Sequence, residues 1–106
     1  MPDPIETARI DLAAALRWAD RLGLSEGICN HFSVVVANPD GSAPDKFLLN
    51  PPATHWREIR ASKLLLVGFD GRLIEGDTDP EETAFYIHYP IHAAAPQATC
   101  VLHTHM

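Results

Sequence analysis

Three residues near the end of the chain, His103, Thr104 and His105, have the types and spacing of a metal site. They end an apolar segment that predicts a buried β-strand, in which residues i and i+2 point to the same face. Two imidazoles about 7 Å apart along a strand can converge on one ion, roughly 2.0–2.1 Å from each nitrogen. Neutral imidazole suits Zn²⁺, and also Fe, Ni or Cu. The spacing is equally compatible with histidines that bond to the backbone, and a catalytic zinc needs a third protein ligand.

A second histidine pair, His88 and His92, lies four residues apart in a predicted helix and therefore on one helix face. Such a pair can bind a metal, but Pro90 lies between the two and disturbs the helix geometry. The spacing favours partly buried, hydrogen-bonded imidazoles over metal ligands. A role in orienting the histidines of the strand stays open as well.

Glu81 and Glu82 stand at the start of the same helix, where a carboxylate near a metal could act as general acid or base. Asp79 is the predicted N-cap, Pro80 takes the first helical position, and Glu82 takes the third position of a capping box. The capping box explains Glu82 by itself. Glu82 becomes the candidate catalytic residue if the fold brings it towards His103.

Two polar turns are candidates for binding an anionic substrate. Asn30 and Ser33 lie where the first helix leads into the first strand, and Asn50 and Thr54 flank a pair of prolines. Side-chain and backbone donors in such turns can bind an anion. The same residues can equally serve only to cap and turn the chain.

Hydrophobic periodicity predicts the elements that must position these residues. An apolar stripe at three- and four-residue steps predicts a first helix over about 5–22. The second helix starts at Asp79, is kinked or split at Pro90, and stops before Pro96. Strands are predicted at 31–37, 46–50, 64–69, 72–75 and 98–105, with a short helical turn within 59–64. This order predicts an α/β fold with a mostly antiparallel sheet, and with Trp18 and Trp56 in its core.

The composition is that of one ordinary globular domain, with 106 residues of which 46% are hydrophobic and 21% charged. Eight Lys and Arg against 14 Asp and Glu give a net charge of -6, which excludes a sequence-independent nucleic-acid binder. No apolar run reaches the roughly 18 residues of a membrane span, and no secretory signal is visible. We therefore expect a cytoplasmic protein with no membrane partner, and Cys29 and Cys100 as reduced, buried thiols.

Four segments occur in order with natural spacings: LGLSEGICNHFSV, FLLNPPATHWREIRASKLLLV, GDTDPEETAFYIHYPIH and CVLHTHM. Together they resemble the class II aldolase/adducin family, over about Ile5 to Met106. The resemblance implies a three-layer α/β/α sandwich around a mostly antiparallel sheet, and a homo-oligomer. It also implies that residues 1–106 are the N-terminal portion of such a domain, because the family's third zinc histidine lies further downstream.

The resemblance further implies an activity and a cofactor. The family's enzymes, such as fuculose-phosphate and rhamnulose-phosphate aldolases, are zinc-dependent catalysts that act on sugar phosphates. The metal stabilises an enediolate during carbon–carbon cleavage, which is Lewis-acid catalysis. His103 and His105 match two zinc histidines, and the segments around Asn30 and 50–54 match phosphate-binding turns. A lyase that uses zinc or another divalent transition metal on a small sugar or sugar phosphate is therefore expected.

The sequence departs from the aldolases at two positions. Ala84 stands where the aldolases carry their acid–base glutamate, and Glu82 lies about 200° away around a helix. Ala53 replaces the glycine of the second phosphate turn. The TAFYIHYPIH segment resembles the adducin-like branch, and adducin is a non-enzymatic cytoskeletal protein. The alternatives are therefore a non-catalytic, adducin-like binding or scaffold domain, or a truncated inactive copy.

Overall fold

Five antiparallel strands form one sheet that a helix covers on each face, in a computed structural model that describes residues 3–25 and 30–104. The helices are α1 (Pro4–Arg21) and α2 (Glu82–Ala94). The strands are β1 (His31–Val35), β2 (Lys46–Leu49), β3 (Leu65–Gly68), β4 (Leu73–Glu75) and β5 (Cys100–His103). Two short 3-10 turns, Trp56–Glu58 and Ala61–Lys63, connect β2 to β3. No helix in these two ranges is long and apolar enough to cross a membrane.

The order of the strands across the sheet is β4-β3-β2-β1-β5. The first four strands follow the chain as successive hairpins, and the predicted Asp70–Gly71 turn joins β3 to β4 with Gly71 at φ +88. The chain then crosses the sheet through α2 and returns as β5 on the far side of β1. This crossover places His103 directly opposite His31 in the β1–β5 ladder.

Strand alternation divides the core into two layers. Phe32, Leu48 and Leu66 face α1, where they pack with Leu12 and Leu16 of the predicted apolar stripe. The neighbouring residues in each strand face the other side, and those in β2 and β3 form a second cluster with Ala84 of α2: Phe47, Leu49, Leu65 and Val67. The three-layer α/β/α arrangement is confirmed.

Helix α1 is tied to the sheet by one buried cation. The guanidinium of Arg9 donates to the carbonyls of Ala61 and Leu64 at 3.2 and 2.7 Å. It also donates to the carboxylate of Glu75 at 2.8 Å, so that each donor it presents to the interior has an acceptor. Asp3 caps the helix through a bond from the Ile5 amide at 2.9 Å.

Helix α2 begins two residues later than the predicted N-cap implies. The N-cap is Glu81, not Asp79, because the carboxylate of Glu81 accepts the Ala84 amide at 2.8 Å. Glu82 is therefore the first helical residue, and the predicted capping box is wrong. Of the two predicted effects of Pro90, a kink or a split, the split does not occur, since α2 continues through it. Pro90 is exposed, as is Tyr86, whose carbonyl loses the amide donor and can bond to water instead.

Three further predictions about burial are wrong. Trp18 is 59% exposed, and the guanidinium carbon of Arg21 lies over its ring, 5.5 Å from the ring centre. Trp56, in contrast, is fully buried as predicted. Strand β5 is an edge strand with alternating exposure, not a buried strand. Cys100 on β5 is consequently exposed, and Cys29 lies outside the described residues.

Candidate active-site cleft

A cleft of about 440 Å³ opens at one end of the sheet. Antiparallel pairing brings the start of β1, the end of β2 and the end of β5 to this end, and the first turn of α2 closes the cleft. Its walls are Asn30, His31, Asn50, Pro51, Pro52, Ala53, Glu81, Thr83, Ala84 and His103. Three residues predicted from the sequence, Asn30, Asn50 and His103, thus meet at one place. A larger groove of about 730 Å³, beside Trp18, contains none of the predicted site residues.

The imidazoles of His31 and His103 form the strand wall of the cleft. Their rings are 4.6 Å apart between centres, and their Nδ1 atoms are 3.3 Å apart. His31 is 7% exposed, and His103 is half-buried. No local pattern in the sequence points to His31, because only the pairing of β1 with β5 places it opposite His103. The second predicted ligand, His105, lies outside the described residues.

Asn50 is a structural residue at the floor of the cleft. Its side-chain oxygen accepts the Phe32 amide at 2.9 Å, and its amide nitrogen donates to the Asn30 carbonyl at 3.2 Å. Asn50 is 7% exposed and Asn30 is 1% exposed. The two predicted substrate turns are therefore joined to each other through the Asn50 side chain.

Ser33 and Thr54 do not line the cleft. Ser33 is fully buried under α2, and its hydroxyl contacts the imidazoles of His88 and His92 at 2.5 and 2.7 Å. The hydroxyl of Thr54 donates to the Pro52 carbonyl at 3.2 Å and so closes its own turn. Neither side chain therefore belongs to the cleft wall as the structure describes it.

Ala53 takes a backbone conformation that favours glycine. Its φ is +57, and it is the one residue other than glycine with a positive φ among those described. The turn therefore keeps the left-handed conformation that a glycine would adopt easily, while a methyl group is added at the cleft wall.

Glu81, not Glu82, brings a carboxylate to the cleft. Glu82 is exposed at the first position of α2 and is absent from the cleft wall. Burial raises the pKa of Glu81, but hydrogen bonds from Ala84 and Thr83 and the nearby His31 outweigh it and leave the pKa below its usual range. The sequence carries a signal for Glu81, since a residue three positions before Ala84 lies only about 60° from it around a helix.

His88 and His92 are buried and hydrogen-bonded, as their spacing favoured. His88 is fully buried and contacts Nδ1 of His31 through its Nε2 at 2.7 Å. Burial first, and then the neighbouring imidazoles, together lower the pKa of His88 to about 3. His92, 3% exposed, also has a pKa below its usual range because of burial. Both rings are therefore neutral at pH 7.

The described residues fit part of a metal site. His103 offers an imidazole at the cleft wall, a donor that suits zinc and similar divalent ions. Within residues 3–25 and 30–104 no three His, Cys, Asp or Glu side chains are grouped to hold an ion. Among the described residues, His103 is therefore the side chain that the cleft offers as a metal ligand.

Comparison with known proteins identifies the family. The sequence model of the family described as the class II aldolase and adducin N-terminal domain matches residues 10–106. The chain belongs to this family. The curated relatives of this family member include an adducin-related protein of Schizosaccharomyces pombe, which is 39% identical over 102 residues. That alignment covers 92% of this chain and 31% of the relative.

Solved structures of the family agree with the fold. An aldolase II superfamily protein from Pseudomonas syringae superposes with a TM-score of 0.89 at 34% identity, over 100% of this chain and 41% of that chain. The L-fuculose 1-phosphate aldolase from Glaciozyma antarctica superposes with a TM-score of 0.80 at 27% identity, over 94% of this chain and 40% of that chain. The chain therefore spans less than half the length of these relatives.

Proposed function

We propose that this chain carries the substrate cleft of a metal-dependent aldolase-type lyase, which cleaves a carbon–carbon bond in a small sugar or sugar phosphate. The observation that carries the proposal is the convergence of His103, Glu81 and the Asn30 and Pro51–Ala53 turns on one cleft. The similarity to the fuculose-phosphate aldolase, which acts on a sugar phosphate by its name, supports the choice of substrate class.

His103, together with His105, would hold zinc or another divalent transition metal. Bound there, the metal would supply Lewis-acid polarisation of the substrate's oxygen atoms. The remaining chemistry belongs to the chain's own residues, which must bind the substrate, exclude water and move protons.

Glu81 takes the acid–base role in this proposal, in place of Glu82. Its lowered pKa keeps the carboxylate charged at neutral pH, so it enters the reaction as a base. One oxygen, Oε2, is held by the Ala84 amide at 2.8 Å, which fixes the carboxylate at the cleft wall. Thus Glu81 would supply, from one helical turn earlier, the carboxylate that Ala84 lacks.

An anionic group of the substrate would bind between the two turns that form the cleft floor. Asn30 and the backbone of Ala53 line this region, and the Asn50 side chain holds the turns together. Asn50 and Thr54 thus support binding indirectly, through the geometry of their turns. Ser33 would also act indirectly, because its hydroxyl contacts the imidazole of His88.

The test measures metal content and lyase activity on the full protein that the gene encodes, since a catalytic zinc needs a third protein ligand besides His103 and His105. We expect bound zinc by elemental analysis, and release of an aldehyde from at least one of a panel of ketose 1-phosphates. His103→Ala should abolish both, and Glu81→Gln should abolish aldehyde release while zinc remains. His55→Ala, which removes an imidazole outside the cleft, should change neither. Zinc content unchanged by His103→Ala would refute the metal assignment.

A non-catalytic, adducin-like binding domain is the second candidate. Ala84 favours it, because a buried methyl group, 2% exposed, stands where the resemblance places a catalytic carboxylate. The identity to the adducin-related protein supports it as well. If no sugar phosphate of the panel is cleaved with zinc present, this candidate replaces the lyase.

We further propose that the protein acts in the cytoplasm as a homo-oligomer. The family resemblance supports the oligomer, and the cysteine usage supports the compartment. Sedimentation velocity measures the oligomeric state directly.

A further inference from the structure

A continuous chain of hydrogen bonds runs beneath the cleft, from the turn after α2 to the cleft wall. Nδ1 of His92 contacts the Ala98 carbonyl at 2.9 Å, and Nε2 of His92 contacts the Ser33 hydroxyl at 2.7 Å. The same hydroxyl contacts Nδ1 of His88 at 2.5 Å. Nε2 of His88 then contacts Nδ1 of His31 at 2.7 Å. Three imidazoles and one hydroxyl are thus joined in series.

The direction of the first bonds follows from the carbonyl at one end. A carbonyl oxygen only accepts, so Nδ1 of His92 carries a proton and donates it to Ala98. Because His92 is buried and neutral, its Nε2 holds a lone pair. The hydroxyl of Ser33 must therefore donate to that Nε2.

The remaining bonds follow from the single proton of the serine hydroxyl. With its proton given to His92, the Ser33 oxygen can only accept, so Nδ1 of His88 is the donor. A neutral His88 then has its lone pair on Nε2, which accepts from Nδ1 of His31. No bond in the chain can be reversed unless the bond before it is broken.

We propose that Ser33, His88 and His92 are positioning residues, which hold His31 at the cleft wall as its Nδ1–H tautomer. When His31 carries no charge, its lone pair is then on Nε2. Any group that meets Nε2, from the protein or from a ligand, must be a hydrogen-bond donor or a metal ion. A sugar hydroxyl fits this requirement, whereas a carbonyl or phosphate oxygen does not.

The same series of hydrogen bonds bears on whether His31 and His103 can bind one metal ion. Nδ1 of His31 lies 3.3 Å from Nδ1 of His103, a separation that two ligands of one ion can have. Its proton, however, is held between His31 and His88, so this nitrogen has no lone pair to offer. In the proposed tautomer, His31 would not share a metal with His103 through Nδ1.

Imidazole NMR tests the inference. The full chain, labelled with ¹⁵N on histidine and kept with a chelator at pH 8, gives long-range ¹H–¹⁵N correlations that distinguish the two tautomers. We expect the Nδ1–H pattern at His31, His88 and His92. An Nε2–H pattern at His31 or His88 in the unmodified protein would overturn the inference, and this result requires no variant.

Two substitutions of Ser33 then test the causal link. Ser33→Ala removes the hydroxyl, so His31 and His88 should lose their single tautomer, while His92 keeps its bond to Ala98. Ser33→Thr retains the hydroxyl and should restore the original pattern at both rings. If Ser33→Ala folds and His31 keeps its Nδ1–H pattern, the series of hydrogen bonds does not determine the tautomer of His31. If it does not fold, the pattern in the unmodified protein and in Ser33→Thr decides the matter.

The role of His31 towards a ligand in the cleft rests on the proposed function, but the measurement of its tautomer does not. It uses neither metal nor substrate, so a protein without lyase activity can still show the expected pattern. An active protein with an Nε2–H His31 would overturn the inference and leave the proposed function intact.

Discussion

Acidification from pH 7 to pH 5 should destabilise the fold through the buried imidazole of His88. Its pKa is about 3 in the folded protein, because burial disfavours the charged ring, against an ordinary value of 6.5. Between these two values the unfolded chain binds the proton and the folded protein does not. The stabilising contribution is therefore fully present above about pH 6.5 and is lost as the pH falls towards 3.

The two pKa values of His88 set the size of the effect. At pH 5 the unfolded imidazole is almost fully protonated and the folded one is almost fully neutral. Proton linkage then lowers the free energy of unfolding by about 2 kcal/mol relative to pH 7. His92 has a pKa shifted in the same direction by burial, so it adds to this loss and does not oppose it. For a domain of this size, about 2 kcal/mol corresponds to a fall in Tm of roughly 8–16 °C.

The assay is urea unfolding followed by circular dichroism at pH 7 and pH 5. His88→Gln removes the titrating ring, so its free energy of unfolding should be lower at pH 7 but should vary about 2 kcal/mol less between the two pH values. His55→Gln removes a histidine outside the cleft whose side chain is 32% exposed, and it serves as the matched control, in which the loss caused by His88 should remain. Equal pH dependence in His88→Gln and the unmodified protein would refute the buried, neutral assignment of His88.

Two predictions concern the turns of the cleft floor. Asn50→Ala deprives the buried Phe32 amide of its hydrogen bond and should lower the free energy of unfolding by about 2–3 kcal/mol, measured by urea unfolding. Thr54→Val, measured in the same way, should lower it by less than about 1 kcal/mol. A loss of equal size in the two variants would contradict the structural role of Asn50. Ala53→Gly relieves the positive φ and should raise the stability by about 0.5–1 kcal/mol, seen as a higher Tm, whereas Ala14→Gly within α1 should lower it by a similar amount. A lower Tm for Ala53→Gly would show that the methyl group is favourable there.

Local signals in the sequence were sufficient for most of the framework. The apolar stripe of α1 and the β-branched and apolar runs at 31–37, 46–50 and 64–69 predicted a helix and three strands, because helix periodicity and strand propensity are local properties of the sequence. The burial of His88 and His92 was also favoured by their spacing. The predictions that were wrong at this level, the burial of Trp18 and the N-cap at Asp79, depend on packing and cap geometry that composition does not encode.

The membership of the cleft was decided by tertiary structure. His31 became a cleft residue because the crossover through α2 places β5 beside β1, and no local pattern specifies that neighbour. Ser33 and Asn50 have the side chains of ligand-binding residues, but burial commits their polar atoms to other parts of the protein. The sequence by itself determined which residues were able to do chemistry. Only the fold decided which of them meet a ligand, because a polar group buried on folding must find its partner inside the protein.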